Sequence, residues 1–274
     1  MERALYNGAV SGISLGGDRF FYENRLATRG DVERWAWHRC PCCPANIARL
    51  VASVGQYVAS TTNDALSLHL YPKSKITARL GNHPVELRMD ARFPWDGEVQ
   101  ITVNASRRFA LRLRVPDWCP TASLSVNGQV VNGMNDRGYL RLERDWSAGD
   151  NVRLSLAMRA RWLSARPQLM ADLGRVALQR GPFIYCVEEA DAGVDVERLL
   201  VDVRQLVGPG PAIHALGGAE TLEVRGWIAT DHSWDDRLYR PGAPERTPAT
   251  VRAIPYPLWA HRGPGSMAVW LRSV

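Results

Sequence analysis

The chain has 274 residues, 46% apolar and 23% charged, with a net charge of +6 and five cysteines. That balance excludes a disordered chain, and no run of about 18 consecutive apolar residues exists to make a transmembrane helix. The charge is almost all arginine, Lys73 and Lys75 being the only lysines, and the arginines are interleaved with Asp and Glu rather than gathered into a stripe. Neither a nucleic-acid partner nor a membrane is therefore expected. Three of the cysteines crowd into Cys40, Cys42 and Cys43, while Cys119 and Cys186 stand alone. This is no disulfide framework and fits a reducing, cytoplasmic compartment, with Cys119 and Cys186 as small buried hydrophobes.

Taken in order, Met1 to Ser14 reads as the end of a helical region, with Ala4, Leu5, Val10 and Ile13 on its apolar side. Ser14 to Tyr22 reads as a hairpin turning at Gly16-Gly17. A polar connection from Asn24 to Arg39 carries Trp35, Trp37 and His38 towards the cysteines. Apolar residues then recur at Ile47, Leu50, Val51, Val54 and Val58, which predicts a helix from Pro44 to near Tyr57. One helix tail, one hairpin and one helix cannot bury a core of their own, so residues 1–60 read as the remainder of a larger helical domain.

From Asp64 the pattern changes to short alternating strands: Leu66/Leu68/Leu70, Val85/Leu87/Met89, Val99/Ile101/Val103, Phe109/Leu111/Leu113/Val115, Leu124/Val126, Tyr139 to Leu142 and Val152/Leu154/Leu156. Asn127-Gly128 is a strong hairpin signal. About seven strands with regular turns predict an antiparallel β-sandwich over 61–165. A second β-rich unit, 166–274, has strands around Val176-Ala177-Leu178 and Phe183-Ile184-Tyr185, joined across Gly181-Pro182. A less regular stretch from Ala192 to Arg246 follows, and Ile254 to Tyr256 and Met267 to Leu271 close the chain as strands. The fold class expected is mainly β, preceded by a helical remnant.

The chemistry concentrates in Cys40-Pro41-Cys42-Cys43-Pro44. Pro44 suits the first turn of a helix, so Cys42 and Cys43 sit near a helix N-terminus, where partial positive charge favours thiolate. Zinc takes thiolates but usually needs four ligands in structural sites, and no second Cys or Cys/His pair follows downstream. From spacing alone, a metal site sharing ligands from elsewhere and a redox or structural thiol group both stay open. Glu23 and Glu33 lie near in sequence, but nothing local separates them from solvated loop charges.

The run Cys40-Pro41-Cys42-Cys43-Pro44-Ala45-Asn46-Ile47-Ala48-Arg49 resembles the signature of glycoside hydrolase family 127, the β-L-arabinofuranosidases. Tyr6-Asn7-Gly8, Ser11 to Ser14 and Phe20-Phe21-Tyr22 agree with it. So do Arg175 to Pro182 with Tyr185-Cys186, and Ile254-Pro255-Tyr256 with Trp259-Ala260 and Arg262-Gly263. The resemblance implies the C-terminal remnant of an (α/α)6 barrel followed by two antiparallel β-sandwich-type domains. It implies retaining hydrolysis of a terminal β-L-arabinofuranosyl unit from an oligosaccharide or glycoconjugate. It also implies Cys42 as nucleophile, Zn2+ held by Cys42 and Cys43, and Tyr22 lining the sugar pocket.

The departures from the family pattern carry equal weight. The family's acid/base glutamate, its remaining zinc ligands in a Glu-x-Cys pair and its pocket histidines lie upstream of this region, and no Glu-x-Cys occurs here. Arg25 stands where the family commonly has proline. The expectation is a C-terminal part of such an enzyme, inactive as this isolated chain and prone to self-association through the exposed barrel remnant. The alternative is a non-catalytic carbohydrate-binding or interaction protein, in which some of the ten Trp side chains stack on sugars.

Overall fold

The computed structural model describes residues 1–231, 234 and 238–274. The chain is mainly β. It divides into two compact units: Met1, Arg3–Ile47 and Ala160–Val274 form one, and Glu2 with Ala48–Arg159 form the other.

In the second unit, two sheets are built from the described residues. One runs in the order Met134–Asp136, Tyr139–Trp146, Arg107–Arg114, Ala65–Leu68 and Ala59–Thr61; the other in the order Ser74–Leu80, His83–Ala91, Glu98–Asn104, Asp150–Leu156, Ala122–Val126 and Gln129–Val130. Alternation in the sequence becomes alternation of burial, because successive strand residues face opposite sides. Val99, Ile101 and Val103 are fully buried between exposed or half-buried neighbours. Their register sets Ile101 opposite Val152, which stands opposite Val126 in turn, a continuous apolar rung across three strands. The Asn127-Gly128 turn adopts positive φ at both residues (50° and 80°), the geometry that a tight hairpin twist demands.

Glu2, buried, belongs to this unit: it accepts from Trp118 Nε1 at 2.8 Å and pairs with Arg114. A buried carboxylate is tolerable because both oxygens are engaged by donors.

In the first unit, ten strands of the described residues make one sheet. Its order is Ala27–Arg29, Ser266–Ala268, Phe183–Glu188, Arg246–Pro255, Ala219–Ala229, Leu199–Val201, Leu271–Ser273, Arg175–Arg180 and Ala160–Ser164, with Gly208–Ile213 paired to Ala219–Ala229. Residues 4–12 are helical, a π-helical stretch Ala4–Ala9 running into a 3-10 turn Val10–Gly12. Asn7 docks this segment. Its Nδ2 donates to Pro182 O and its Oδ1 accepts from Ile184 N, both at 2.8 Å, so the side chain satisfies the backbone of the Gly181-Pro182 hairpin.

Several expectations are corrected. Pairing is not wholly antiparallel: Ala65–Leu68 runs parallel to Arg107–Arg114, and Leu199–Val201 parallel to Leu271–Ser273. Ala65–Leu68 is buried on both faces, Ser67 included, so the alternation of its sequence does not become an alternation of burial. The Ser14–Tyr22 stretch turns as expected but keeps only isolated bridges, Ile13 to Phe20 and Phe20 to Trp35. The polar connection 24–39 contains a strand, Ala27–Arg29, paired to Ser266–Ala268. The stretch read as irregular after Ala192 carries an eleven-residue strand, Ala219–Ala229. A strand Ala160–Ser164, ahead of the first strand expected in the second β unit, pairs with Arg175–Arg180.

Candidate functional site

The helix that carries the cysteines spans Cys42–Ser53 and continues as a 3-10 turn, Val54–Tyr57. Cys42 and Cys43 are its first two residues, in the turn whose backbone N–H groups lack intrahelical acceptors. The helix is fastened at its start. Asn46 Nδ2 donates to Cys42 O at 2.9 Å, and Pro44 is buried. Ile47 reaches into space left by Gly12, where an added Cβ would lie 2.7 Å from Ile47 Cδ1. A side chain at position 12 would push this helix, and the two thiols with it, off the 10–12 turn.

Cys42 is exposed and Cys43 half-buried, and their sulfurs are 3.7 Å apart. Two thiolates each about 2.3 Å from a tetrahedral zinc lie roughly 3.8 Å apart. The pair therefore fits two corners of a zinc site. Among the described residues, no group of three or more His, Cys, Asp or Glu side chains converges to supply the other corners. Cys43 Sγ also lies 3.8 Å from Tyr22 O, so the metal-type pair and the aromatic segment 20–22 adjoin.

Tyr22 lines a cleft of about 710 Å³ with Phe21, Glu23, Trp35, His38 and Cys40 among the other lining residues. Cys42 and Cys43 are not part of its lining. The His38 ring is packed between two walls, 5.7 Å from Tyr22 and 4.7 Å from Trp35. It is buried, with Nε2 3.2 Å from Phe20 O. That carbonyl can only accept, so Nε2 donates to it, while Nδ1 is buried without a hydrogen-bond partner. Glu23 is an exposed cleft residue paired with Arg25 at 3.1 Å, and Glu33 lies on the same lining.

The support beneath the cleft comes from residues that the sequence did not single out. Phe21 is buried and stacks on Trp259 at 4.6 Å. Arg34 sits against Phe21 and donates to Trp259 O at 2.7 Å and Ser11 O at 2.9 Å. Burial lowers its pKa to about 10. The available signal was an arginine between Glu33 and Trp35 in a loop of aromatic residues, which reads equally well as a solvated charge.

Of the two isolated thiols expected to be buried, Cys186 is and Cys119 is not. Cys186 is fully buried, and burial pushes its thiol well up. Cys119 is half-buried with Sγ 3.0 Å from Thr121 O. No helix among the described residues is long and apolar enough to cross a membrane.

Domain models of one family match the chain in series: the β-L-arabinofuranosidase GH127 catalytic domain over residues 1–56, the GH127 middle domain over 65–158 and the family 127 C-terminal domain over 160–272. The non-reducing end β-L-arabinofuranosidase of Bifidobacterium longum subsp. longum is 33% identical over 302 residues, taking in 99% of this chain and 44% of that protein. A GH127 β-L-arabinofuranosidase structure from Geobacillus stearothermophilus T6 superposes with a TM-score of 0.95 at 37% identity, covering 100% of this chain and 46% of the other. The GH127 β-arabinofuranosidase BT3674 gives 0.91 at 32% identity, with 100% and 45% coverage. The chain spans less than half the length of these relatives. On this evidence the chain belongs to glycoside hydrolase family 127.

Proposed function

We propose that this chain is the C-terminal part of a retaining glycosidase that acts on a terminal β-L-arabinofuranosyl unit of an oligosaccharide or glycoconjugate. The observation that carries this reading is the Cys42–Cys43 pair, with sulfurs at a zinc-compatible 3.7 Å, inside the segment matched by the family's catalytic domain. On this reading residues 1–60 are the end of an (α/α)6 barrel, and the sheets that follow form two sandwich-type domains.

Cys42 is the nucleophile and Cys43 a metal ligand beside it. Zinc held by both sulfurs would supply the positive charge that keeps them as thiolates near neutral pH. Cys42 Sγ attacks the anomeric carbon; the C–S bond forms as the bond to the leaving oxygen breaks, and that oxygen takes the electron pair and a proton from the acid. Water then attacks the same carbon, giving its proton to the carboxylate that the acid has become, sulfur leaves with the C–S electron pair as thiolate, and two inversions give net retention. Tyr22 presents its ring to the sugar from the cleft wall. The acid/base carboxyl is not assigned to any residue of this chain: Glu23 is drawn to Arg25, and Glu33 lines a cleft whose lining does not include Cys42.

The same reading implies that these 274 residues alone do not turn over substrate, and that they associate through exposed apolar side chains such as Trp37, 64% exposed. Three free, crowded cysteines fit a reducing, cytoplasmic setting. The test is an assay of the purified chain with a chromogenic aryl β-L-arabinofuranoside, alongside a thiol count with and without zinc. No hydrolysis and zinc protection of two thiols are expected. Hydrolysis would overturn the incompleteness of the chain, and unprotected Cys42 and Cys43 would overturn the metal assignment.

A further inference from the structure

A second groove, of about 380 Å³, lies in the first unit on the ten-stranded sheet, with Cys42 and Tyr22 absent from its lining. Its floor follows from register. Arg225 and Trp227 are two apart on the strand Ala219–Ala229 and so share a face. Their antiparallel partners, Thr250 and Pro248, stand on that same face. Val224 and Gly226 face the other way and are buried in the core, which leaves Trp227 half-buried on the solvent side. Val201 on the neighbouring strand pairs with Gly226, and the turn that follows it brings Asp202 and Gln205 to the rim.

The chemistry of this groove is mixed in a specific way. An indole and a proline ring give an apolar floor. Arg225 and Gln205 offer donors, and Thr250 offers either role. Asp202 is buried, and its carboxylate is fixed by Arg204, which donates to it through its backbone N at 3.0 Å and through Nε at 2.9 Å. These bonds hold the Asp202 carboxyl below the usual carboxylate range. The Asp202–Arg204 ion pair neutralises the rim, which therefore calls for no charged ligand there. A purely apolar ligand would cover the Arg225 guanidinium without giving it a partner. A neutral sugar meets both demands: its C–H face covers an aromatic ring while its hydroxyls donate to Asp202 and accept from Arg225 and Gln205. The volume lies near the small end of the range for ligand pockets, about 300–1,000 Å³, and so suits a short glycan segment.

We propose that the Trp227–Pro248 floor, with Arg225, Thr250, Asp202 and Gln205, is an ancillary binding site for a neutral oligosaccharide. It holds a glycan without cleaving it, since among the described lining residues Asp202 is the one carboxylate and it is tied to Arg204. The site stands independently of the cysteine chemistry proposed above.

The test is calorimetric titration of the 274-residue chain with an arabino-oligosaccharide and a xylo-oligosaccharide, using Trp227→Ala, Trp227→Phe, Thr250→Arg and Tyr22→Ala variants. Saturable binding in this groove is expected to weaken at least about tenfold in Trp227→Ala and to stay within a few-fold in Trp227→Phe, while Tyr22→Ala reports separately any binding in the cysteine-side cleft. Thr250→Arg, at an exposed position, blocks the groove without touching the core and is expected to abolish binding; it keeps the test sound if Trp227→Ala fails to fold. Absence of binding to both probes up to about 10 mM would overturn the proposal. Binding that survives Thr250→Arg but is lost in Tyr22→Ala would overturn it too, placing the glycan in the cysteine-side cleft.

Discussion

Arg34 holds its guanidinium 4.2 Å from the centre of the Phe21 ring, inside the unit that also contains Trp259. Four of its hydrogen bonds run to main-chain carbonyls, Ser11 at 2.9 Å, Trp259 at 2.7 Å, Ala260 at 3.3 Å and Pro257 at 3.4 Å, and His261 Nδ1 lies 3.3 Å from the same guanidinium. One side chain thus fixes the end of the N-terminal helical segment, the strand-like run that carries Tyr22 and the loop after Pro255. Its cost is desolvation, which explains the lowered pKa near 10. Replacing it with methionine keeps most of the volume but leaves those carbonyls dry. Arg34→Met is expected to destabilise the first unit by about 3 kcal/mol or more. Arg34→Lys restores charge but not the planar fork, and should recover only part of it. Urea unfolding followed by tryptophan fluorescence reads both.

The Cys42–Cys43 pair makes a separable prediction about metal. Two adjacent thiols can fill two corners of a zinc site, so the chain should take up zinc weakly and yield it to a chelator. Cys42→Ala and Cys43→Ala are each expected to weaken uptake by at least about tenfold, equivalent to ~1.4 kcal/mol. Cys40→Ala should leave uptake unchanged, because Cys40 lines the neighbouring cleft. Competition against a chromophoric chelator measures all three. Equal uptake by all variants would place the metal elsewhere.

Stability should fall as the solution is acidified, through two histidines. His69 has Ser60 Oγ 2.8 Å from Nε2 and Tyr139 OH 2.7 Å from Nδ1. Burial, then Arg114 and Arg112, hold its pKa below the ordinary value. His261 accepts from Leu15 N at 2.9 Å and has Leu258 O 2.9 Å from Nδ1, so its neutral form fits both bonds. Burial and Arg34 lower it as well. In each case the unfolded chain binds the proton more readily than the folded one. The stabilisation is therefore complete above the unfolded value of about 6.5 and is lost as pH falls through that value towards the lower folded ones. The thermal midpoint should drop between about pH 7 and pH 5, and His69→Gln should flatten part of that slope. A midpoint that rises on acidification over this range would reverse the assignment.

Local patterns were the legible part of this fold. Val99/Ile101/Val103 and the Asn127-Gly128 turn report their geometry within a few residues, because burial and φ are set locally. The strand Ala27–Arg29 could not be read that way: its partner Ser266–Ala268 is remote in the chain, and nothing polar or apolar in three residues marks the pairing. Ala219–Ala229 was hidden by the glycines and prolines around it. In the site, the adjacency of Cys42 and Cys43 was visible as sequence. The cleft was not, because Tyr22, His38 and Trp35 meet through an irregular loop whose path depends on Arg34 and Trp259.

Asn127 offers the sharpest test of a turn. It has a φ of 50°, which a non-glycine residue adopts at a cost, and it is retained by three hydrogen bonds. Its backbone N donates to Asn151 O, its Oδ1 accepts from Asn151 N, and its Nδ2 donates to Asp150 Oδ1, each at 2.8 Å. Ser147 N and then Asn127 hold the Asp150 carboxyl below its ordinary pKa. Asn127→Ala keeps the backbone bond, loses both side-chain bonds and leaves alanine in a conformation that asparagine tolerates better. The loss should be about 1–2 kcal/mol. It should also raise the Asp150 pKa, read by carboxyl-carbon NMR titration, because one of its donors has gone. Asn127→Gly should lose the same two bonds yet relieve the backbone, and so lie between the wild type and the alanine variant. Alanine and glycine variants of equal stability would show that the left-handed conformation contributes nothing, whereas a glycine variant as stable as the wild type would remove the side-chain bonds from the account.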